Sequence, residues 1–337
     1  MSGPARSGWT AGRAARGLVP VIAVAGIGAS AFFLLRDDLR ADAEQPYAAE
    51  LAPLEAASSE RTLYREEAVI DLPLEEPRGI AVGADGRLYV AGDRRLLAYG
   101  PDGALVREAP LEAAPRCLAV DGAGGLFVGF QDHLEVYHGT LERSAVWTYL
   151  GERALITSVS AGREAVYVAD AGNRAVLRFT PSGRLTRRFT GADRSGFLLP
   201  SPYFDVAVRD GGPGSKERVW VVNTGRHRLE CYDPDGRRTA SWGRPSTTVE
   251  GFCGCCNPVH IALLADGSFA TAEKGLARVK IHDPDGLFVG VAAGPEQLGT
   301  SSPGLDLAVD GRDRLYVLDP AGRRVVVLGR RSQEAGE

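Results

Sequence analysis

From about residue 77 the chain repeats itself six times, and nothing else in it constrains the fold as tightly. The unit is an apolar strand, a Gly/Asp turn, an aromatic-containing strand, a polar turn and a third strand. Copy one begins Pro77-Arg-Gly-Ile-Ala-Val82 and copy two Pro115-Arg-Cys-Leu-Ala-Val120. Copy three contains Ala165-Val-Tyr-Val-Ala-Asp-Ala-Gly-Asn-Arg-Ala-Val-Leu-Arg-Phe179. Copies four, five and six carry Asp205-Val-Ala-Val208, His260-Ile-Ala-Leu263 and Asp306-Leu-Ala-Val309. Repeats of roughly 40 residues with several short strands each predict a β-propeller. The sixth copy ends after three strands, while Thr62 to Leu72 (TLYREEAVIDL) precedes the first copy and has no repeat of its own. That segment is expected to supply the fourth strand of the last blade and close the ring, leaving no open sheet edge. The fold expected is all-β, a six-bladed propeller over residues 61–330 with a short tail at 331–337.

The N-terminus sets the compartment. Residues 1–16 hold Arg6, Arg13 and Arg16 and no acid, and Gly17 to Leu35 follows without a charge. As a helix this segment is ~28 Å long, enough for a ~30 Å hydrocarbon core. The basic flank keeps to the cytoplasm, so 17–35 is expected to anchor the protein in the membrane with its domain outside the cytoplasm. A signal peptide cut near Ala41-Asp42-Ala43 is the alternative. Residues 36–60, rich in Ala and Glu, read as a linker. A net charge of −4 and a pI near 5.9 exclude the basic face of a nucleic-acid binder.

Chemistry concentrates in one decapeptide, Gly251-Phe-Cys-Gly-Cys-Cys-Asn-Pro-Val-His260, which holds three of the five cysteines. It enters the first strand of blade five and is expected at the mouth of the central channel. Aligning the first strands puts Gly79, Cys117, Thr157 or Ser158, Asp205, His260 and Asp306 around that mouth. Second strands end in Asp170, Asn223, Glu273 and Asp319, side chains that commonly cap turns. Cys231, in a third strand, reads as core. Cys253, Cys255, Cys256 and His260, supported by Asp205, Asp306 and Cys117, form the candidate metal site. Thiolate and imidazole suit a transition metal such as zinc, copper or iron. The C-x-C-C spacing is not that of a closed zinc finger. Two other uses of the loop stay open: dithiol redox chemistry, and a disulfide that staples an inter-blade insertion at 245–258.

The copies Tyr167-Val-Ala-Asp-Ala-Gly-Asn-Arg-Ala-Val-Leu-Arg-Phe179 and Pro77-Arg-Gly-Ile-Ala-Val82 resemble the NHL repeat. The resemblance covers the whole repeated domain and implies a six-bladed propeller. NHL-like propellers serve as binding platforms, as lactonase-type hydrolases and as amidating lyases, so the fold alone does not choose. Phe252-Cys-Gly-Cys-Cys-Asn-Pro258 looks like the loop of a bacterial subgroup sharing Cys-Cys-Asn-Pro, which implies the company of membrane redox proteins. The related lyases hold their channel metal with histidines from several blades, and here only His260 stands at such a position. The function expected is a membrane-anchored binding or redox-accessory module with a protein partner, such as a membrane redox complex. The alternatives are a metal-dependent lactonase-like hydrolase or lyase using the channel, and a structural protein-interaction scaffold.

Overall fold

A computed structural model describes residues 62–211, 214–299 and 304–331 of the 337. The basic N-terminus, the apolar segment 17–35, the linker and almost all of the tail lie outside the described residues. Among the described residues no helix is long and apolar enough to cross a membrane.

Among the described residues twenty-four strands form six four-stranded antiparallel sheets. The first in sequence, β1 (Tyr64–Asp71), belongs to the last blade. Blade one holds β2 (Pro77–Val82), β3 (Leu88–Gly92), β4 (Arg95–Tyr99) and β5 (Leu105–Pro110). Blade two holds β6 (Cys117–Val120), β7 (Leu126–Gly129), β8 (Leu134–Tyr137) and β9 (Arg143–Val146). Blade three holds β10 (Ile156–Ala161), β11 (Val166–Asp170), β12 (Ala175–Phe179) and β13 (Leu185–Phe189). Blade four holds β14 (Val206–Arg209), β15 (Arg218–Asn223), β16 (Arg228–Tyr232) and β17 (Arg238–Trp242). Blade five holds β18 (His260–Leu263), β19 (Phe269–Glu273), β20 (Arg278–His282) and β21 (Phe288–Ala293). Blade six holds β22 (Asp306–Val309), β23 (Leu315–Asp319), β24 (Arg324–Arg330) and β1. The six-bladed propeller is therefore present, and β1 closes it as the repeat count requires.

The burial gradient follows the sequence. Second strands such as VYVAD are buried along their length, whereas outer strands such as LVREAP face solvent. Apolar side chains from adjoining blades interlock in six clusters, for example Val128, Ala98 and Leu118 between blades one and two. In blades four and five the third-to-fourth-strand turn is Asp-Pro-Asp-Gly. Asp283 Oδ1 accepts the N–H groups of Asp285 and Leu287 at 3.0 and 2.8 Å, and Gly286 turns the chain at φ +85°. A Cβ there would also lie 2.2 Å from the Trp242 ring, so this turn requires glycine twice over.

Two first strands carry an extra residue. Register slips between Pro77 and Gly79 in β2, and between Ile156 and Ser158 in β10. The bulge settles the irregular blade three: Ser158 takes the ring position opposite Ala169, and Thr157 is displaced.

Candidate functional site at the channel mouth

First strands line the axis, so the N–H groups on their axis-facing edge have no strand to pair with and need other acceptors. Ring side chains supply them across blade boundaries. Asp205, one residue ahead of β14, accepts from Ile261 N in blade five at 2.7 Å and from Val206 N at 2.9 Å. Asp306 accepts from Ile80 N in blade one at 3.0 Å and from Leu307 N at 2.9 Å. Ser158 Oγ accepts from Val206 N at 3.3 Å. These residues are thus stitches between blades as well as polar groups at the mouth.

His260 stands between the two aspartates. Its Nδ1 lies 3.4 Å from Asp306 Oδ1 and 3.6 Å from Asp205 Oδ2, ion-pair distances with no direct hydrogen bond. Burial disfavours the imidazolium, but the Asp205 carboxylate and then that of Asp306 outweigh it and push the pKa up to about 9. His260 is accordingly a cation at neutral pH. Burial also raises the Asp306 carboxyl, against the pull of His260.

The cysteine loop lies at the end of the insertion between β17 and β18. Ser246 N donates to Phe252 O and Phe252 N to Arg244 O, both at 3.0 Å, forming a small tie. The buried Asn257 pins the loop to the β19–β20 turn: its Nδ2 donates to Cys253 O and Lys274 O at 3.0 Å, and its Oδ1 accepts from Lys274 N at 2.8 Å. Cys255 Sγ and Cys256 Sγ are 3.1 Å apart, and all five cysteines are unbridged. Cys255 is exposed and Cys256 buried. Burial opposes ionisation of Cys256, yet Lys274, then Ser201 and Cys255, outweigh it and lower its thiol pKa. The Cys255 thiol moves up, chiefly because it donates to Cys256. One thiolate with one thiol as its donor is the arrangement this predicts.

The seven expected ligands do not converge on one centre. Asp205, His260 and Asp306 meet at the axis, and Cys255 and Cys256 meet beside Lys274. Cys253 is half-buried near Glu273, and burial raises its thiol pKa. Cys117 is buried in the wall between blades two and three, where burial likewise holds it as a neutral thiol. Among the described residues no three His, Cys, Asp or Glu side chains are placed to hold a metal ion. The two groups are joined by Tyr203: its ring meets His260 edge-on at 6.3 Å, and Lys274 Nζ lies 5.0 Å over its face. The second-strand ends are structural. Asp170 Oδ1 accepts from Leu155 N and Asn173 N, and Asp319 Oδ1 accepts from Gly322 N. Cys231 is buried in the cluster between blades four and five.

The channel is a cavity of about 250 Å³, and a second cavity of about 400 Å³ forms its mouth on the His260 side. Both are lined by Arg78 and Arg116, which the sequence reading passed over. The signal was present: copies one and two alone share a Pro-Arg pair just ahead of the ring position, Pro77-Arg78 and Pro115-Arg116.

No protein-family model matches the chain, and no curated protein matches it. Solved structures do. A Bacteroides thetaiotaomicron protein of unknown function is similar at a TM-score of 0.59 and 15% identity, covering 79% of this chain and 72% of that one. A catalytically inactive virginiamycin B lyase from Staphylococcus aureus, with quinupristin, is similar at 0.55 and 12%, covering 79% and 99%. BBS1N in complex with ARL6DN is similar at 0.50 and 14%, covering 81% and 98%. At these identities the likeness establishes the propeller fold alone.

Proposed function

We propose that the protein is a membrane-anchored, extracytoplasmic NHL-type propeller acting as a binding or redox-accessory module, with the Cys255–Cys256 pair as its reactive group. The observation that carries this reading is Cys256: a buried sulfur 3.1 Å from a second, exposed one, with its thiol pKa lowered beside Lys274. A thiolate backed by an accessible thiol suits exchange with a partner's disulfide, and it equally suits a soft metal ion such as zinc, copper or iron. A propeller face also suits a protein partner, as BBS1N illustrates by being in complex with ARL6DN.

The test is thiolate absorbance of the reduced full chain followed against pH. The expected result is one cysteine titrating below the ordinary thiol range, and loss of that step in Lys274→Met. If every thiol titrates at or above the ordinary value, the reading fails. Metal analysis of the reduced protein separates the two uses of the pair: stoichiometric zinc, copper or iron that Cys255→Ser abolishes marks a metal site.

A lyase is the second reading, favoured by His260 in a cavity of a propeller similar to virginiamycin B lyase. It expects the full chain to consume quinupristin and His260→Ala to stop it. An unchanged antibiotic after prolonged incubation removes that substrate.

A further inference from the structure

Arg116 carries a charge that no carboxylate among the described residues neutralises. Its guanidinium is half-buried at the mouth, and its Nε donates to Ile156 O at 3.1 Å. Burial and the nearby positive charge of Arg78 both press its pKa down, yet a guanidinium stays protonated. A partly buried, uncompensated charge is unfavourable, which makes an anion a fitting ligand for this site.

Arg78 approaches the same cavity from blade one, on the bulge of β2. It is held by Glu76 at 2.6 Å, but the two side chains are 54% and 69% exposed, so the pair is weak and exchangeable. Other parts of the wall limit the ligand's charge. Glu75 and Glu76 also line the cavity and repel a second negative charge, while Asp306 there is balanced by His260 at 3.4 Å. Pro202, Tyr203 and Pro320 give it an apolar side, and about 400 Å³ suits a small organic molecule.

We propose that the channel mouth binds a small organic monocarboxylate, its carboxylate on the Arg116 fork with Arg78 as second clamp, its apolar body against Tyr203 and the flanking prolines. A planar guanidinium matches a carboxylate in two parallel hydrogen bonds, which an ammonium cannot do. This site is separate from the cysteine pair and does not depend on thiol chemistry.

Calorimetry of the full chain with hippurate at low salt tests it. Saturable binding is expected, and hippuramide, the neutral counterpart, and inorganic phosphate should each bind at least about tenfold more weakly. Arg116→Met should weaken hippurate by about tenfold or more, with Arg116→Lys in between. The Cys255→Ser/Cys256→Ser protein should bind hippurate as the unmodified chain does, so failure here and failure of the thiol reading are distinguishable. Equal affinity for hippuramide, or an unchanged affinity in Arg116→Met, overturns the proposal. So does the absence of saturable binding for hippurate, benzoate and N-acetylphenylalanine alike. Should Arg116→Met not fold, the contrast between hippurate and hippuramide in the unmodified protein decides.

Discussion

At the scale of single residues, the axis rests on His260 and its two aspartates. A pKa near 9 in the fold, against roughly 6.5 in the unfolded chain, gives the folded state a bound proton that the unfolded state lacks. That contribution is complete below about pH 6.5 and is lost as pH rises through about 9. Urea unfolding is expected to show stability falling by on the order of 3 kcal/mol across that window, and His260→Gln should flatten the slope. An equal slope in the variant would assign the effect elsewhere. Asp205→Ala removes the acceptor for the Ile261 N–H between blades and should cost about 2–4 kcal/mol, whereas Asp205→Asn keeps an acceptor oxygen and should cost less. The ring positions were legible from the six aligned copies. Their work was not, because Asp205 reaches a donor 56 residues away and Asp306 one 226 residues away. Read locally, two carboxylates beside a histidine look like ligands. Their oxygens turn out to be engaged by backbone N–H groups.

At the scale of elements, the insertion after β17 changes the meaning of β20. Where β4 has Leu97 and Tyr99 and β12 has Leu177 and Phe179, all buried between blades, β20 has Lys280 and His282. All five residues of β20 are buried, as the other third strands largely are, and the insertion supplies the polar partners that a buried lysine needs. Phe252 packs against Trp242 and His282 at ring-centroid distances of 6.3 and 5.5 Å, with Lys280 Nζ 4.3 Å over its own ring. Lys280 Nζ also donates to Val249 O, Gly251 O and Glu273. Burial lowers its pKa to about 8, against the Glu273 carboxylate. Lys280→Met would strand these acceptors and should destabilise the insertion by about 2–4 kcal/mol. The expected readout is faster amide exchange at 246–252 and faster alkylation of Cys256, with exchange in blades one to three unchanged. Uniform exchange rates in the two proteins would show that the lysine is not the anchor. The repeat pattern placed the insertion correctly between blades four and five. It could not show what the insertion covers, since Lys280 finds its acceptors 31 and 29 residues away, at Val249 and Gly251.

At the scale of the whole molecule, the ring is held by one seam made from the two ends of the domain. β1 runs antiparallel to β24, from Tyr64 opposite Arg330 to Asp71 opposite Arg324. Val325 to Leu328 beneath it are buried. Removing residues up to Asp71 would leave β24 as a bare edge and open the last blade, so a large drop in melting temperature and concentration-dependent association are expected. A monomer by sedimentation with an unchanged melting temperature would mean that the other blades hold the ring unaided. The closure was legible because a six-copy count with three strands in the last leaves one strand to find. The seam also has a mechanical consequence. Tyr64 and Arg330 lie side by side, and Arg331 N donates to Leu63 O at 2.9 Å. Leu63 N also donates to Val291 O of blade five at 2.7 Å, so a pull on the chain through residue 62 loads that tie first and then the rungs of the β1–β24 ladder one at a time, as a zip opens. Such a force would peel the outermost strand of blade six while β22, which carries Asp306, stays paired to β23, so the channel mouth is sheltered from a tug by the two strands between.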